Sequence, residues 1–259
     1  MSAPAHPLRS TRIAELVAGA MRDRILSGEL VDGERLPKED ELRAEFGVGR
    51  PAMREAMRIL EAEGLLTVLR GNRGGALVRT PRAENLAYTL GLLLSARKIR
   101  TRDVGHAMRE LEPACAALCA LRADRERTVV PALLAVQERS IAAAQDSAAV
   151  TACFRDFHEQ LVAGCGNETM IALVGALERL WSSHVRTNAT RAVQQGKPRP
   201  PEEIRQSLAD HQQILDCIRD GDADGVRAAV TRHVARVQTQ PRPYGANVAI
   251  DLATLRAGL

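Results

Sequence analysis

Aromatic residues are scarce: the 259-residue chain holds one Trp, two Tyr and three Phe, 2% of its composition. A core without aromatics rests on Ala, Leu, Val and Ile, which suits packed helices and argues against an all-β architecture. Long apolar runs are also missing. No stretch of about 18 apolar residues is available to span a bilayer, and the opening MSAPAHPLRSTR lacks the apolar segment of a signal peptide. The expectation is a cytoplasmic protein with no membrane partner. The five cysteines, Cys115, Cys119, Cys153, Cys165 and Cys217, are an odd set without a CxxC pair. They indicate neither a disulfide framework nor a zinc ribbon and read as free thiols in helical stretches. One-sided charge is lacking as well, since a net charge of +4 permits an anionic partner without identifying one.

What is present is a folded-protein balance of 45% hydrophobic and 26% charged residues, in a chain long enough for two ordinary domains. Residues 1–10, with Pro4 and Pro7, read as a flexible arm. From Thr11 a helix is expected, because Ile13, Leu16, Val17, Ala20, Met21 and Ile25 recur at spacings of three and four. Gly28 ends it. A short helix is expected over Lys38–Phe46 after Pro37, then a turn bracketed by Gly47 and Gly49. A third helix runs from Arg50 to about Glu63, with Gly64 where a left-handed residue is favoured. Two β-prone runs, Leu65–Leu69 and Ala76–Arg79, flank a glycine-rich loop carrying Arg70 and Arg73. Residues 11–80 therefore read as a winged helix-turn-helix with a small β-hairpin wing.

Beyond Thr80 and Pro81 the pattern is helical throughout, with seven helices expected at about 83–96, 102–122, 126–145, 147–165, 167–194, 203–220 and 222–239. The overall class is mainly α: a winged helix-turn-helix followed by an all-α bundle over 83–239. A tail over 240–259 carries Pro241 and Pro243, and its VAIDLATL segment offers a last helical turn or two.

Arg50, Arg54 and Arg58 stand at i, i+4 and i+8 of the third expected helix and share one face. Such a face suits a major groove, where arginine takes guanine bidentately or grips phosphates. The bland alternative is a solvated stripe paired to Glu55 or Glu61. Position favours DNA, because the stripe starts at the N-terminal end of a helix after a Gly-Val-Gly turn, and Arg70 and Arg73 add charge on the wing. Total charge does not, since residues 1–80 hold thirteen Lys or Arg against twelve Asp or Glu.

The stretch RDRILSGELVDGERLPKEDELRAEFGVGRPAMREAMRILEAEGLL with RGNRGGALV resembles the GntR family of bacterial regulators. The resemblance implies that Arg50 and Arg54 touch operator bases or phosphates, that Pro51 and Ala52 lie at the groove floor, and that Gly71 approaches DNA closely. Two positions depart from the family pattern: Gly49 stands where Ser or Thr is usual, and Asp40 where Arg is frequent. Asp40 would oppose a phosphate unless it turns toward Lys38 or Arg43.

The segments MRELEPACAALCA, FHEQLVAGCGN and DHQQILDCIRDGDADGVRAAVTRHV resemble the FCD ligand-binding domain of the fatty-acid-regulator branch of that family. The resemblance implies a homodimer on a palindromic double-stranded operator and a small-molecule effector in a central cavity that gathers His158, His211 and His233. Three neutral imidazoles can hold Zn²⁺ or a similar ion with a position open for a carboxylate. Metal-binding relatives add an Asp four residues before the first histidine, where this chain has Phe154. Asp156, two residues away, faces elsewhere. The cavity therefore reads either as a three-histidine metal site or as a more apolar pocket using histidine hydrogen bonds. Arg109 is a candidate carboxylate clamp, its alternative an ion pair with Glu110 or Glu112. Trp181 reads as core, and His184 has no assigned role.

These expectations describe an effector-responsive repressor and not an enzyme. The rivals are a metal-dependent enzyme anchored by a DNA-binding module and an architectural DNA-binding protein without effector.

Overall fold

A computed structural model describes residues 7–69, 75–80, 83–239 and 248–253. They fall into two compact units, Met1–Arg82 and Ala83–Leu259.

In the first unit, helices α1 (Pro7–Leu26), α2 (Glu39–Phe46) and α3 (Arg50–Ala62) precede a hairpin of β1 (Leu66–Leu69) and β2 (Gly75–Val78). The strands are antiparallel, with Leu66 opposite Val78 and Leu69 opposite Gly75. Helix α1 starts within the arm expected over 1–10. Proline is well placed in a first helical turn, where its missing N–H has no intrahelical partner to lose. Ala14, Val17, Ala18, Met21 and Ile25 of α1 are buried against Met53, Ala56 and Leu60 of α3 and Leu66, Ala76 and Val78 of the hairpin.

The end of α3 shows how sequence sets geometry. Gly64 takes a left-handed φ of 76°, its N–H donates to Glu61 O at 3.1 Å, and the Leu65 N–H reaches back to Leu60 O at 2.9 Å. This is the double bond of a Schellman stop, closed by two buried leucines. The turn-rich stretch before α2 does more than turn. The Leu36 N–H donates to Ala76 O at 2.9 Å and the Val78 N–H to Glu34 O at 2.8 Å, covering the outer edge of β2, which would otherwise expose unpaired backbone groups.

The second unit contains α4 (Ala83–Ala96), α5 (Thr101–Leu121), α6 (Arg125–Ala142), α7 (Ser147–Ala163), α8 (Glu168–Gln194), α9 (Pro201–Asp220) and α10 (Ala223–Thr239). Local signals set their ends. The Asp146 carboxylate accepts from the N–H groups of Ala148 and Ala149, and the Asn167 side chain from that of Met170. Gly221 closes α9 at a φ of 73°. Phe157 and Leu161 of α7, Ile214, Leu215 and Ile218 of α9, and Val226 and Val230 of α10 pack with α5 and α6 in the main core. Cys115, Cys119 and Cys165 lie in it as buried free thiols. Burial pushes the Cys115 and Cys119 thiols well up, which keeps both inert.

The tail is partly built in. Val248 O accepts from the Thr101 N–H at 3.0 Å, Ala249 pairs with Arg100 as an antiparallel bridge, and Ile250 is buried with Ala87, Val104, Leu180 and Trp181. The alternation of Val248, Ile250 and Leu252 suits an extended strap over 248–251 rather than the helical turn expected there, and among the described residues of the tail 252–253 are helical. Among the described residues no helix is long and apolar enough to cross a membrane.

Candidate nucleic-acid interface and effector cavity

Helix α3 presents Arg50, Arg54 and Arg58 on one face, each more than half exposed. The neighbouring carboxylates come mainly from the first turn of α2. Glu39 lies 3.3 Å from Arg50 and 3.5 Å from Arg54, while Arg58 pairs with Glu55 at 3.2 Å. Glu61, the other partner expected for the stripe, accepts from the Val68 N–H instead. Asp40 points toward Arg43 at 2.8 Å, with Arg50 at 3.5 Å, so its charge is directed at cations. Exposed pairs of this kind are worth about 1 kcal/mol or less and yield readily to a phosphate.

Pro51 is exposed on the same face. Ala52 is not: it is 6% exposed, beside the core residues Met53 and Ala56. Its methyl therefore offers little surface to a partner. Arg70, Gly71 and Arg73 lie outside the described residues. Gly49 begins α3 with extended backbone and no side-chain cap, as its lack of a hydroxyl dictates.

In the second unit a cavity of about 280 Å³ is lined by residues of α5, α7, α8, α9, α10 and the loop before α9. At its wall His158 of α7, His211 of α9 and His233 of α10 converge. His233 Nε2 lies 3.2 Å from His158 Nε2 and 3.3 Å from His211 Nε2, and all three rings are buried.

Two of the rings are oriented from behind. The His233 Nδ1–H donates to Asp210 at 2.8 Å, and His158 Nδ1 is hydrogen-bonded to the buried Glu112. The third is held by aromatic packing, with Phe157 stacked on His211 at 4.2 Å and Phe154 edge-on at 5.1 Å. His211 Nδ1 has no hydrogen-bond partner among the described residues.

Burial keeps the rings neutral. It lowers His158, with help from Arg155, to about 3. It lowers His233 to about 4 against the opposing pull of Asp210, and takes His211 well below its ordinary value. Burial pushes Glu112 up to about 7, against Arg155. For Asp210, hydrogen bonds from His233, Arg236 and Gln206 outweigh burial and hold the carboxyl below its usual range.

This donor set fits a divalent ion. Bonds of 2.0–2.1 Å to imidazole make a tetrahedral edge of about 3.3–3.4 Å, close to both Nε2 separations. Neutral rings braced by carboxylates at Nδ1 are the usual outer partners of metal-binding histidines. The three histidines are also the group able to hold an ion among the described residues. Phe154, 4% exposed, supplies no fourth ligand and leaves that direction to the cavity. Asp156 is turned away to Arg139 and Arg186.

Arg109 stands one residue back from the cavity, through Gln238, which lines it. It lies on α5 outside the cavity lining and donates to Gln238 Oε1 at 3.0 Å, pairing with neither Glu110 nor Glu112. The arginines that line the cavity are Arg155 and Arg199. Arg155 is three residues before His158 and so on its face of α7, a signal present in the sequence. It pairs with the buried Glu178 and donates to Ser182 Oγ. Arg199 lies in the loop before α9, where no periodicity marks its direction. Trp181 belongs to the core and also borders the cavity. His184 borders it too, donating from Nδ1 to Leu180 O at 2.7 Å and accepting the Asp251 N–H at Nε2.

Residues 13–77 match the family of bacterial regulatory proteins called gntR, and residues 103–236 match the FCD domain. The HTH-type transcriptional repressor NanR of Klebsiella aerogenes is 28% identical over 246 residues, 92% of this chain and 89% of the relative. A protein of Escherichia coli K12 named for regulation of the L-lactate dehydrogenase operon is 27% identical over 240 residues, 90% of this chain and 88% of the relative. The solved structure of Streptococcus agalactiae GntR shares the fold, with a TM-score of 0.66 at 24% identity, over 86% of this chain and 98% of that one. Both matched domains are those of transcription regulators, which removes the enzyme from contention. With a gntR module before an FCD domain that covers more than half its length, the chain belongs to the GntR family of bacterial transcription regulators.

Proposed function

We propose that the protein is a dimeric repressor whose FCD cavity binds a divalent metal through His158, His211 and His233 and senses a small carboxylate there. The observation that carries this reading is the convergence of three neutral Nε2 atoms beside a cavity, two of them 3.2 and 3.3 Å from the third. The repressor role follows that of NanR, named a transcriptional repressor.

Each part of the chain has a defined task. Arg50, Arg54 and Arg58 exchange Glu39, Asp40 and Glu55 for phosphates and base edges, with Pro51 on the groove face and Arg70, Gly71 and Arg73 of the wing on the flanking backbone. A homodimer sets two such faces one helical turn apart on a palindromic operator. In the cavity, Asp210 and Glu112 hold His233 and His158 with Nε2 inward, and Phe154 and Phe157 fix His211. A bound divalent ion supplies an electrophilic open position for a carboxylate. Trp181, Val185 and Val237 exclude water around the rest of the ligand. Binding then shifts the equilibrium between operator-competent and incompetent dimers.

Metal analysis of the purified full chain tests the reading, with thermal melts in added Zn²⁺, Ni²⁺ or Mn²⁺. The expected result is one metal per chain, or a metal-dependent rise in Tm, lost in His211→Ala. No bound metal and no stabilisation by any of the three ions would overturn the metal site.

A further inference from the structure

We propose that Arg199, whose guanidinium lies over the Phe154 ring, forms a second anion subsite beside the histidines, and that the cavity thereby selects an organic acid with two carboxylates. This deepens the carboxylate-sensing reading above and rests on it.

Arg199 is an unusual loop arginine. Its side chain is only 9% exposed, and it lines the cavity. Its guanidinium carbon sits over the Phe154 ring at 5.0 Å, and Nη2 donates to Ser207 Oγ at 2.8 Å. Its backbone N–H donates to Ser147 Oγ at 2.7 Å. A guanidinium stacked on an aromatic face and anchored at the backbone is pre-organised, and its planar fork matches a carboxylate bidentately.

The surroundings carry the same sign. Lys197 lines the cavity with Arg199. So do Ser147 and Thr151 in the first turns of α7, and Pro200 and Glu203 where α9 begins. Three cationic side chains, Arg155, Lys197 and Arg199, line the space against one carboxylate, Glu203. Arg155 pairs with the buried Glu178, and Arg199 stands 3.6 Å from Glu203 at the start of α9.

Phe154 touches both groups, with its ring T-shaped to His211 at 5.1 Å and the Arg199 guanidinium over its face at 5.0 Å. An aspartate at this position would set a carboxylate beside both cationic centres and lower their pull on a ligand. The phenyl ring adds no negative charge and provides an apolar wall, continued by Val185, Ala189 and Val237. The complementary ligand has an anionic group at each end and a short carbon chain between. A volume of about 280 Å³ suits a small molecule.

Calorimetric titration of zinc-supplemented full-length protein with matched acids tests this: succinate against butyrate, glutarate against pentanoate, adipate against hexanoate. The wild type is expected to bind at least one diacid about tenfold or more tighter than its monoacid partner. Arg199→Gln is expected to abolish that preference and leave monoacid binding within about twofold, while Arg199→Lys, which keeps the charge, retains part of it. Thermal melts of both variants establish that they fold. Equal binding of diacids and monoacids by the wild type, or equal weakening of both by Arg199→Gln, would overturn the subsite and leave the carboxylate cavity standing. Absence of binding by every acid would overturn the carboxylate reading itself, and the subsite with it.

Discussion

The backbone N–H of Asp251 donates to Nε2 of His184 at 2.9 Å, fastening the tail to a residue that borders the cavity. Ile250, one residue earlier, is buried among Ala87 of α4, Val104 of α5 and Trp181 of α8. The strap therefore joins three helices. Ile250→Ala is expected to cost about 2–4 kcal/mol through lost burial and a residual cavity, lowering the Tm of the second unit by roughly 5–10 °C. A melt within a degree of the wild type would show that the strap adds nothing to the fold.

Gly105 is required by its neighbour. A Cβ there would lie 2.9 Å from the Trp181 ring, and Trp181 borders the cavity. Gly105→Ala is expected to destabilise by about 1–3 kcal/mol through overpacking and to weaken binding of whichever matched acid binds the wild type best. Calorimetry and tryptophan fluorescence check it, and unchanged binding with an unshifted emission spectrum would contradict the assigned wall.

The buried histidines set the pH response of protein stripped of metal by a chelator. Burial lowers His158 to about 3, His233 to about 4 and His211 well below its ordinary value. The unfolded chain protonates them near 6.5. Between these values the unfolded state binds more protons, so stability falls as pH drops from 6.5 toward 4. Burial pushes Glu112 up to about 7, which favours the folded state on acidification and offsets one histidine of the three. The net effect is a Tm several degrees lower at pH 5 than at pH 7.5. A flat profile would mean that the rings are not held neutral.

On DNA, Arg54→Ala is expected to weaken operator binding about tenfold or more and to reduce the slope of log K against log salt by about one. Ala52→Ser tests the groove-floor role. Because Ala52 is only 6% exposed, a cost in stability is expected without a change in base preference. Altered operator preference with unchanged stability would favour its contact with DNA.

Much of the fold was legible because its signals are local. The seven helices among the described residues of the second unit follow apolar spacing and are bounded by capping residues such as Asp146, Asn167 and Gly221, and Gly64 marks the stop of α3. The strap was not legible, since the contacts of Val248 and Ile250 with Thr101 and Trp181 span some 70 residues or more of chain. In the cavity, resemblance pointed to the three histidines and to Phe154, but their supports needed the fold. Glu112, three residues from Arg109 on α5, sits behind His158 instead. Asp210 adjoins His211 in sequence yet serves His233, because adjacent residues on a helix diverge by about 100°. Arg199 comes from a loop, where direction has no period to follow.

The central claim is that the cavity governs the DNA-binding module. The most direct test is operator affinity of the zinc-supplemented full chain, measured by fluorescence anisotropy with a promoter fragment flanking its gene. The titration is run with and without the matched acid that raises the Tm most. The account predicts a change of about tenfold or more on saturation, absent in His211→Ala. Equal affinity with and without the acid in the wild type, or an equal response in His211→Ala, would contradict it.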